Sequence, residues 1–221
     1  MTAVRPGAKR TADHYSNTSS HLIVTPYHQQ LKTALAAWVD LDDDQWHRLV
    51  GLFEVRTARE QEHLLLPGDR IYELFFVCEG LLRFYYLADN GTESNKAFIA
   101  EDQFAGPLAA SALDLPVIYG VQTLEPTTLL AARYADFVTL FEEHPVFDRL
   151  GRKLMEWMVV QKELRERVAL HQTARERYLA FVQQYPQFAQ RVPQYHIASY
   201  LGMTAESLSR LRRKLAEGSV S

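Results

Sequence analysis

Between residues 55 and 137, short apolar runs are repeatedly cut by turn residues. Stretches such as 63–66, 74–78, 81–87 and 96–100 suit strands and are too short for buried helices. The punctuation is Pro67-Gly68-Asp69, Glu79-Gly80, Asn90-Gly91 and Gly106-Pro107. Asn90-Gly91 lies between two strand-like runs and signals a hairpin, because both residues tolerate positive φ. Many short strands at this spacing predict a β-sandwich or barrel. Two short amphipathic helices are expected ahead of them, over 31–39 and 44–53.

The texture changes after Pro145. Residues 145–172 hold no further proline, and Leu150, Leu154, Trp157, Gln161, Leu164, Val168 and His171 follow a 4-3-4-3-4-3 spacing. That spacing makes an a/d seam on one long helix. Lys162, Glu163, Arg165, Glu166 and Arg167 surround it, so a parallel homodimer along this helix is expected. The alternative is a single amphipathic helix packed on its own domain. A further helix over 174–185 should stop at Pro186, with 188–193 as a connector.

The segment from Tyr195 to Leu215 carries the chemistry. A first short helix, 195–201, offers Ile197, Ala198 and Leu201 inward, and Ala198 is small enough for a second helix to cross closely. Gly202 permits the left-handed turn that ends it. Met203 plugs the gap, Thr204 can cap the second helix, and Glu206 places negative charge at its start. On that second helix Leu208, Leu211 and Leu215 face inward. Glu206, Ser209, Arg210 and Arg213 share the opposite face, where an arginine can bond guanine bidentately and a carboxylate can accept from cytosine. Arg212 and Lys214 flank them and can meet phosphates. The net charge is only −3, so binding to double-stranded DNA must come from this local basic patch.

These features resemble the Crp/Fnr family of bacterial transcription regulators over about residues 30–215. The resemblance rests on Pro67-Gly68-Asp69, Val77 to Gly80, Asn90-Gly91, Phe104-Ala105-Gly106, the long helix and, most specifically, the segment from Arg191 to Leu215. It implies an α+β chain: a double-stranded β-helix (a jelly roll of the cyclic-nucleotide-binding kind), a long dimerisation helix, and a C-terminal helix-turn-helix, winged-helix-like with its wing short or absent. The expected divisions are a disordered tail (1–20), a sensor domain (21–144), the dimer helix (145–172) and the DNA-binding domain (173–221). The family's Glu-x-x-Ser-Arg signature, which reads TTGA-like half-sites, falls on Glu206, Ser209 and Arg210. Thr204, Arg212, Arg213 and Lys214 complete the expected DNA contacts. RNA polymerase is a further implied partner, and the cytoplasm the implied compartment.

One departure matters. Cyclic-AMP binders of the family carry Phe-x-Gly-Glu-Leu and, nine residues later, an arginine for the cyclic phosphate. Here the string is Phe104-Ala105-Gly106-Pro107-Leu108, and Val117-Ile118-Tyr119 follows. A buried phosphate without its arginine is strongly penalised, so cyclic AMP is not expected as a cofactor. Phe98, Gly106, Leu108, Val117, Ile118 and Tyr119 would instead line an apolar effector pocket. It either takes a small apolar or aromatic molecule or is collapsed. Pro107 can begin a short helix without losing a needed donor.

Other classes fit less well. No metal-ligand spacing, nucleophile elbow or phosphate loop occurs, so neither catalysis nor a metal site is expected. No run is long enough to span a membrane. Cys78 stands alone in an apolar run, which excludes a multi-thiolate sensor and predicts a buried, inert thiol. A ligand-binding module without DNA binding remains the rival reading, and it would leave the polar stripe of 206–213 without a purpose.

Overall fold

The computed structural model describes residues 24–217, and the side chains of 168–170 are outside that description. The tail expected over 1–20 and the side chain of Val168 therefore lie outside the described residues. Two helices, α1 (Pro26–Leu35) and α2 (Asp43–Val50), precede eight strands. These are β1 (Glu54–Ala58), β2 (His63–Leu65), β3 (Glu73–Glu79), β4 (Leu82–Leu87), β5 (Glu93–Ile99), β6 (Phe104–Ala105), β7 (Gly120–Thr123) and β8 (Thr127–Arg133). Helix α3 (Leu108–Leu113) sits between β6 and β7. The short helix expected at Pro107 is present, but the proline is its N-cap and the first helical residue is Leu108.

The strands form two antiparallel four-stranded sheets, β1-β8-β3-β6 and β2-β7-β4-β5. Alternation decides where each side chain goes. On β3, Phe75 and Val77 enter the space between the sheets, while Leu74, Phe76 and Cys78 point to the helices outside. On β8, Leu129 and Ala131 go inward, and Leu130 and Ala132 outward. At the centre of this sheet both faces are covered, so β3 and β8 are buried at successive positions rather than at every second one. Burial pushes the Cys78 thiol up to about 12, which makes it the inert thiol expected.

The hairpin at Asn90-Gly91 joins β4 to β5, with Gly91 at φ 81° and the Asn90 side chain accepting from Thr92 N–H. After β8 come α4 (Tyr134–Glu143) and α5 (Pro145–His171). The strand-like reading ran on to Phe137, but Tyr134 already begins α4, whose Phe137 and Leu140 pack on the outer face of the first sheet. Gly151 of α5 lets the Phe141 ring close in, because a Cβ there would lie 2.5 Å from it.

The long helix matches the expected span, but its seam is divided. Leu150 and Leu154 are 2% and 1% exposed, inside the core that α1, α2, α4 and the first sheet share. Trp157 lies beside Trp38, with ring centroids 6.5 Å apart. Leu150 and Leu154 therefore serve their own domain, while Trp157 is half-buried, because α5 starts against the sheet and only later leaves it. The exposed apolar residues farther along are Met155, Val159, Val160 and Leu164.

The C-terminal domain comprises α6 (Ala174–Gln184), α7 (Phe188–Arg191), α8 (Gln194–Tyr200) and α9 (Ala205–Glu217). Phe181, Phe188, Ile197, Ala198 and Leu208 form its core, and Leu81, Phe98 and Ala100 of the β-domain join it. Among the described residues no helix is long and apolar enough to cross a membrane. Leu154→Ala should cost about 2–5 kcal/mol of stability, as for large-to-small changes in a packed core, whereas Ile118→Ala, at an exposed site, should stay within about 0.5 kcal/mol. Urea unfolding of both variants measures the contrast.

Candidate nucleic-acid interface and its coupling to the β-domain

Helices α8 and α9 meet across a tight turn. Gly202 has φ 68°, a conformation in which a side chain would be strained, and Met203 N–H donates to Ala198 carbonyl at 3.0 Å. Ala198, 1% exposed, lies in one cluster with Leu208 of α9, with Met203 packed against it. The Thr204 hydroxyl accepts from Ser207 N–H at 3.2 Å and so caps α9. Glu206 in the first turn is held below the usual carboxylate range by its own backbone N–H and by the Thr204 hydroxyl.

With Leu208 buried and Leu211 and Leu215 half-buried, Glu206, Ser209, Arg210, Arg212, Arg213 and Lys214 are all exposed. Arg210 donates to the Ser207 hydroxyl at 3.1 Å, and Arg213 has only a long pairing with Glu217 at 3.9 Å. The structure thus brings the expected DNA-facing residues onto one accessible helix.

The other face of the helix pair is docked on the outside of the second sheet, a contact the sequence did not announce. Strand β5 carries a bulge. Phe84 pairs with Ala97 and Tyr85 with Asn95, so Lys96 has no partner across the ladder. Asn95 and Phe98, three residues apart, consequently both face the C-terminal domain. The Asn95 amide donates to His196 carbonyl at 2.9 Å, and its backbone N–H donates to Ser199 Oγ at 3.0 Å. Phe98 packs among Phe181, Phe188 and Tyr200. Behind Asn95 lies Arg83, 5% exposed, bonded to Glu93 at 2.6 Å, Gln122 at 2.8 Å and Asn95 at 3.2 Å.

Two further links cross the junction. Arg191 reaches Glu101 at 2.7 Å, the Gly80 carbonyl at 3.1 Å and Glu125. Arg165 of α5 donates to the Lys96 carbonyl freed by the bulge. A signal for these residues existed in principle: Arg83 and Asn95 are polar interruptions in strand-like runs.

The expected effector pocket does not assemble as a unit. Phe98 belongs to the interdomain core, because alternation turns it out of the β-roll. Leu108 packs with Phe104 and the N-terminal helices. Ile118 is 70% exposed, since Val117 and Tyr119 on either side take the inward positions. Val117 is 1% exposed, and its backbone bonds Gly68 and Asp69. The Tyr119 hydroxyl donates to Gly106 carbonyl at 3.1 Å. The interior of the roll is packed with Leu65, Phe75, Val77, Leu82, Phe84 and Leu129.

At the two positions a cyclic nucleotide requires, the structure has Pro107 starting α3 and the buried Val117, so these residues do not fit that ligand. Lys96 is among the cations that lie against the roll's aromatic residues. The Lys96 ammonium sits 3.9 Å from the Tyr119 ring centroid and 5.6 Å from that of Phe84. Burial first, then Arg165 and Lys162, push it down to about 8.

Residues 55–144 match the family model of the cyclic nucleotide-binding domain. No curated protein matches the sequence. Among solved structures, a putative Crp/Fnr regulator from Eubacterium rectale is similar with a TM-score of 0.67 at 14% identity, over 84% of this chain and 88% of that one. FixK2 from Bradyrhizobium japonicum gives 0.65 at 17% identity, over 76% and 86%. The c-di-GMP responsive regulator CLP from Xanthomonas campestris gives 0.61 at 18% identity, over 80% and 93%. The class follows: a cyclic nucleotide-binding domain of jelly-roll type, a long helix and C-terminal helices. The chain has the fold of a Crp/Fnr-type transcription regulator.

His196, buried against Asn95, is pushed down to about 4 by burial and then by Arg83. A histidine whose folded-state pKa lies below its unfolded value takes up its proton preferentially on unfolding. Its contribution is complete above about pH 6.5 and is lost as pH falls toward 4. His63 is lowered as well, by burial first and then Arg83, and acts in the same direction. Melting temperature should therefore drop as pH falls from 6.5 to 4, and His196→Gln should flatten that slope without abolishing it.

Proposed function

We propose that the chain is a sequence-specific DNA-binding transcription regulator acting as a homodimer in the cytoplasm. Helix α9 is the reading element. Glu206, Ser209 and Arg210 read TTGA-like half-sites, and Thr204, Arg212, Arg213 and Lys214 take phosphates or flanking bases. One observation carries this reading: α9 exposes every polar member of that stripe while its apolar face is locked against α8 through Leu208 and Ala198. A ligand-binding module would need no such exposed, capped basic helix. The chain is not an enzyme in this reading, and RNA polymerase is the partner it would meet on DNA.

Cyclic AMP is not its effector. Val117 stands where the family's phosphate arginine belongs, and a buried phosphate left without such a cation is strongly penalised. The side chains filling the roll favour the collapsed alternative over an apolar effector there. Dimerisation uses Met155, Val159, Val160 and Leu164, the apolar residues that α5 leaves open, and not the buried Leu150 and Leu154. Gln161, expected in the same seam, lies at the rim of a cleft toward α6.

Fluorescence anisotropy on a TTGA palindrome and on a scrambled duplex, at two salt concentrations, tests the DNA reading. The palindrome should bind at least about 1,000-fold tighter. Arg210→Ala should weaken it by roughly 5- to 150-fold, and cyclic AMP should change neither value. Equal affinity for both duplexes would overturn the assignment. In sedimentation velocity at micromolar concentration the chain should run as a dimer, and Val159→Glu with Val160→Glu should run as a folded monomer with a lower melting temperature.

A further inference from the structure

A cleft of about 510 Å³ opens where the end of α5 meets α6 and α8. Its walls include Arg165, Arg167 and Arg177 and the amides of Gln161, Gln172 and Gln184, and no aspartate or glutamate lines it. Among the described residues none of the three arginines has a carboxylate within ion-pair distance, although the chain as a whole is negative.

Two of these guanidiniums are held in place by neutral acceptors. Arg177 donates to Leu201 carbonyl at 3.0 Å and to Gln172 carbonyl at 2.8 Å, and Arg165 donates to Lys96 carbonyl. Each thus keeps its full charge and further donors for an anion, at low ordering cost. Arg167 is exposed at the rim. The aromatic side of the cleft is Phe181, Tyr185 and Tyr200, with the Arg165 guanidinium 6.0 Å from the Tyr200 ring centroid. Gln172 supplies the most specific sign. Its Oε1 is buried with no hydrogen-bond partner among the described residues, an acceptor that an N–H donor would satisfy.

Arginines for an oxyanion, aromatic rings for a flat heterocycle and an orphaned acceptor for an amino group together describe a nucleotide. The volume is within the range of small-molecule sites. We propose that this cleft binds a purine nucleotide, at a site separate from the interior of the β-roll. Its walls come from the sensor's long helix and from the C-terminal domain, on either side of the Gln172–Thr173 junction. Occupancy would therefore fix how the helix-turn-helix is carried relative to α5. The binding needs no DNA and is measured without it, so it stands or falls independently of the half-site reading.

Calorimetry on the full chain tests it with 5′-GMP, 5′-AMP, guanosine and inorganic phosphate. At least one nucleotide should bind about 10-fold or more tighter than guanosine or phosphate alone, since charge and ring are both required. The variant Arg167→Ala/Gln184→Ala changes two exposed side chains that make no hydrogen bond among the described residues, so its melting temperature should match the parent's. Its nucleotide affinity should fall by about 10-fold or more. Nucleotide binding no tighter than inorganic phosphate overturns the proposal. So does binding that survives the double variant, which would place the ligand elsewhere, the β-roll included.

Discussion

Side chains alternate across a strand, so a sheet has two faces to cover, and the central strands of both sheets are covered on both of theirs. The inner faces meet each other around Phe75, Leu82, Val121 and Leu129. The outer face of β1-β8-β3-β6 takes α1, α2, α4 and the start of α5. The outer face of β2-β7-β4-β5 takes the C-terminal domain. The β-roll is therefore the middle layer of the molecule, and whatever repacks it is felt on both sides. Leu150 and Leu154 illustrate the cost: a helix that closes the first outer face cannot offer the same residues to a second copy.

The second outer face is closed differently from the first. Against α1 and α2 the contact is an apolar cluster edged by hydrogen bonds from Tyr27 and Gln30, whereas against α8 it mixes the Phe98 ring cluster with the buried Arg83, Asn95 and His196. A buried charge costs several kcal/mol unless paired, and Arg83 is answered by Glu93, Gln122 and Asn95 together. Such a contact demands a specific geometry, because a small slide would leave buried polar groups unmet. It positions the helix-turn-helix rather than merely attaching it.

Much of this was legible in the sequence, for physical reasons. Short apolar runs with turn residues between them announced the roll, and Asn90-Gly91 announced its hairpin. Ala198, Gly202, Met203 and Thr204 announced the crossing of α8 and α9, because each residue type does a job that few others can. The effector pocket was less legible, since it was transferred from a family pattern whose key positions are Pro107 and Val117 here. The turned-out Phe98 and the exposed Ile118 follow from alternation. The docking of α8 on β5 could not be read, because it depends on a bulge, and a bulge breaks the alternation from which faces are inferred. Tyr134, too, looks like a continuation of the preceding strand until α4 has sheet and helix to pack against.

Strand β5 ends the order β2-β7-β4-β5 and so has one side without a neighbouring strand. Ser199 meets the Asn95 N–H on that side, and Arg165 takes the carbonyl of Lys96. Exposed strand edges recruit strands from other molecules, and proteins commonly shield them. The docked helix-turn-helix is thus also a guard against aggregation. A truncation at the end of α5 would leave the roll intact yet bare both an open edge and the Phe98 patch beside it, so the β-domain depends on the C-terminal helices to stay in solution.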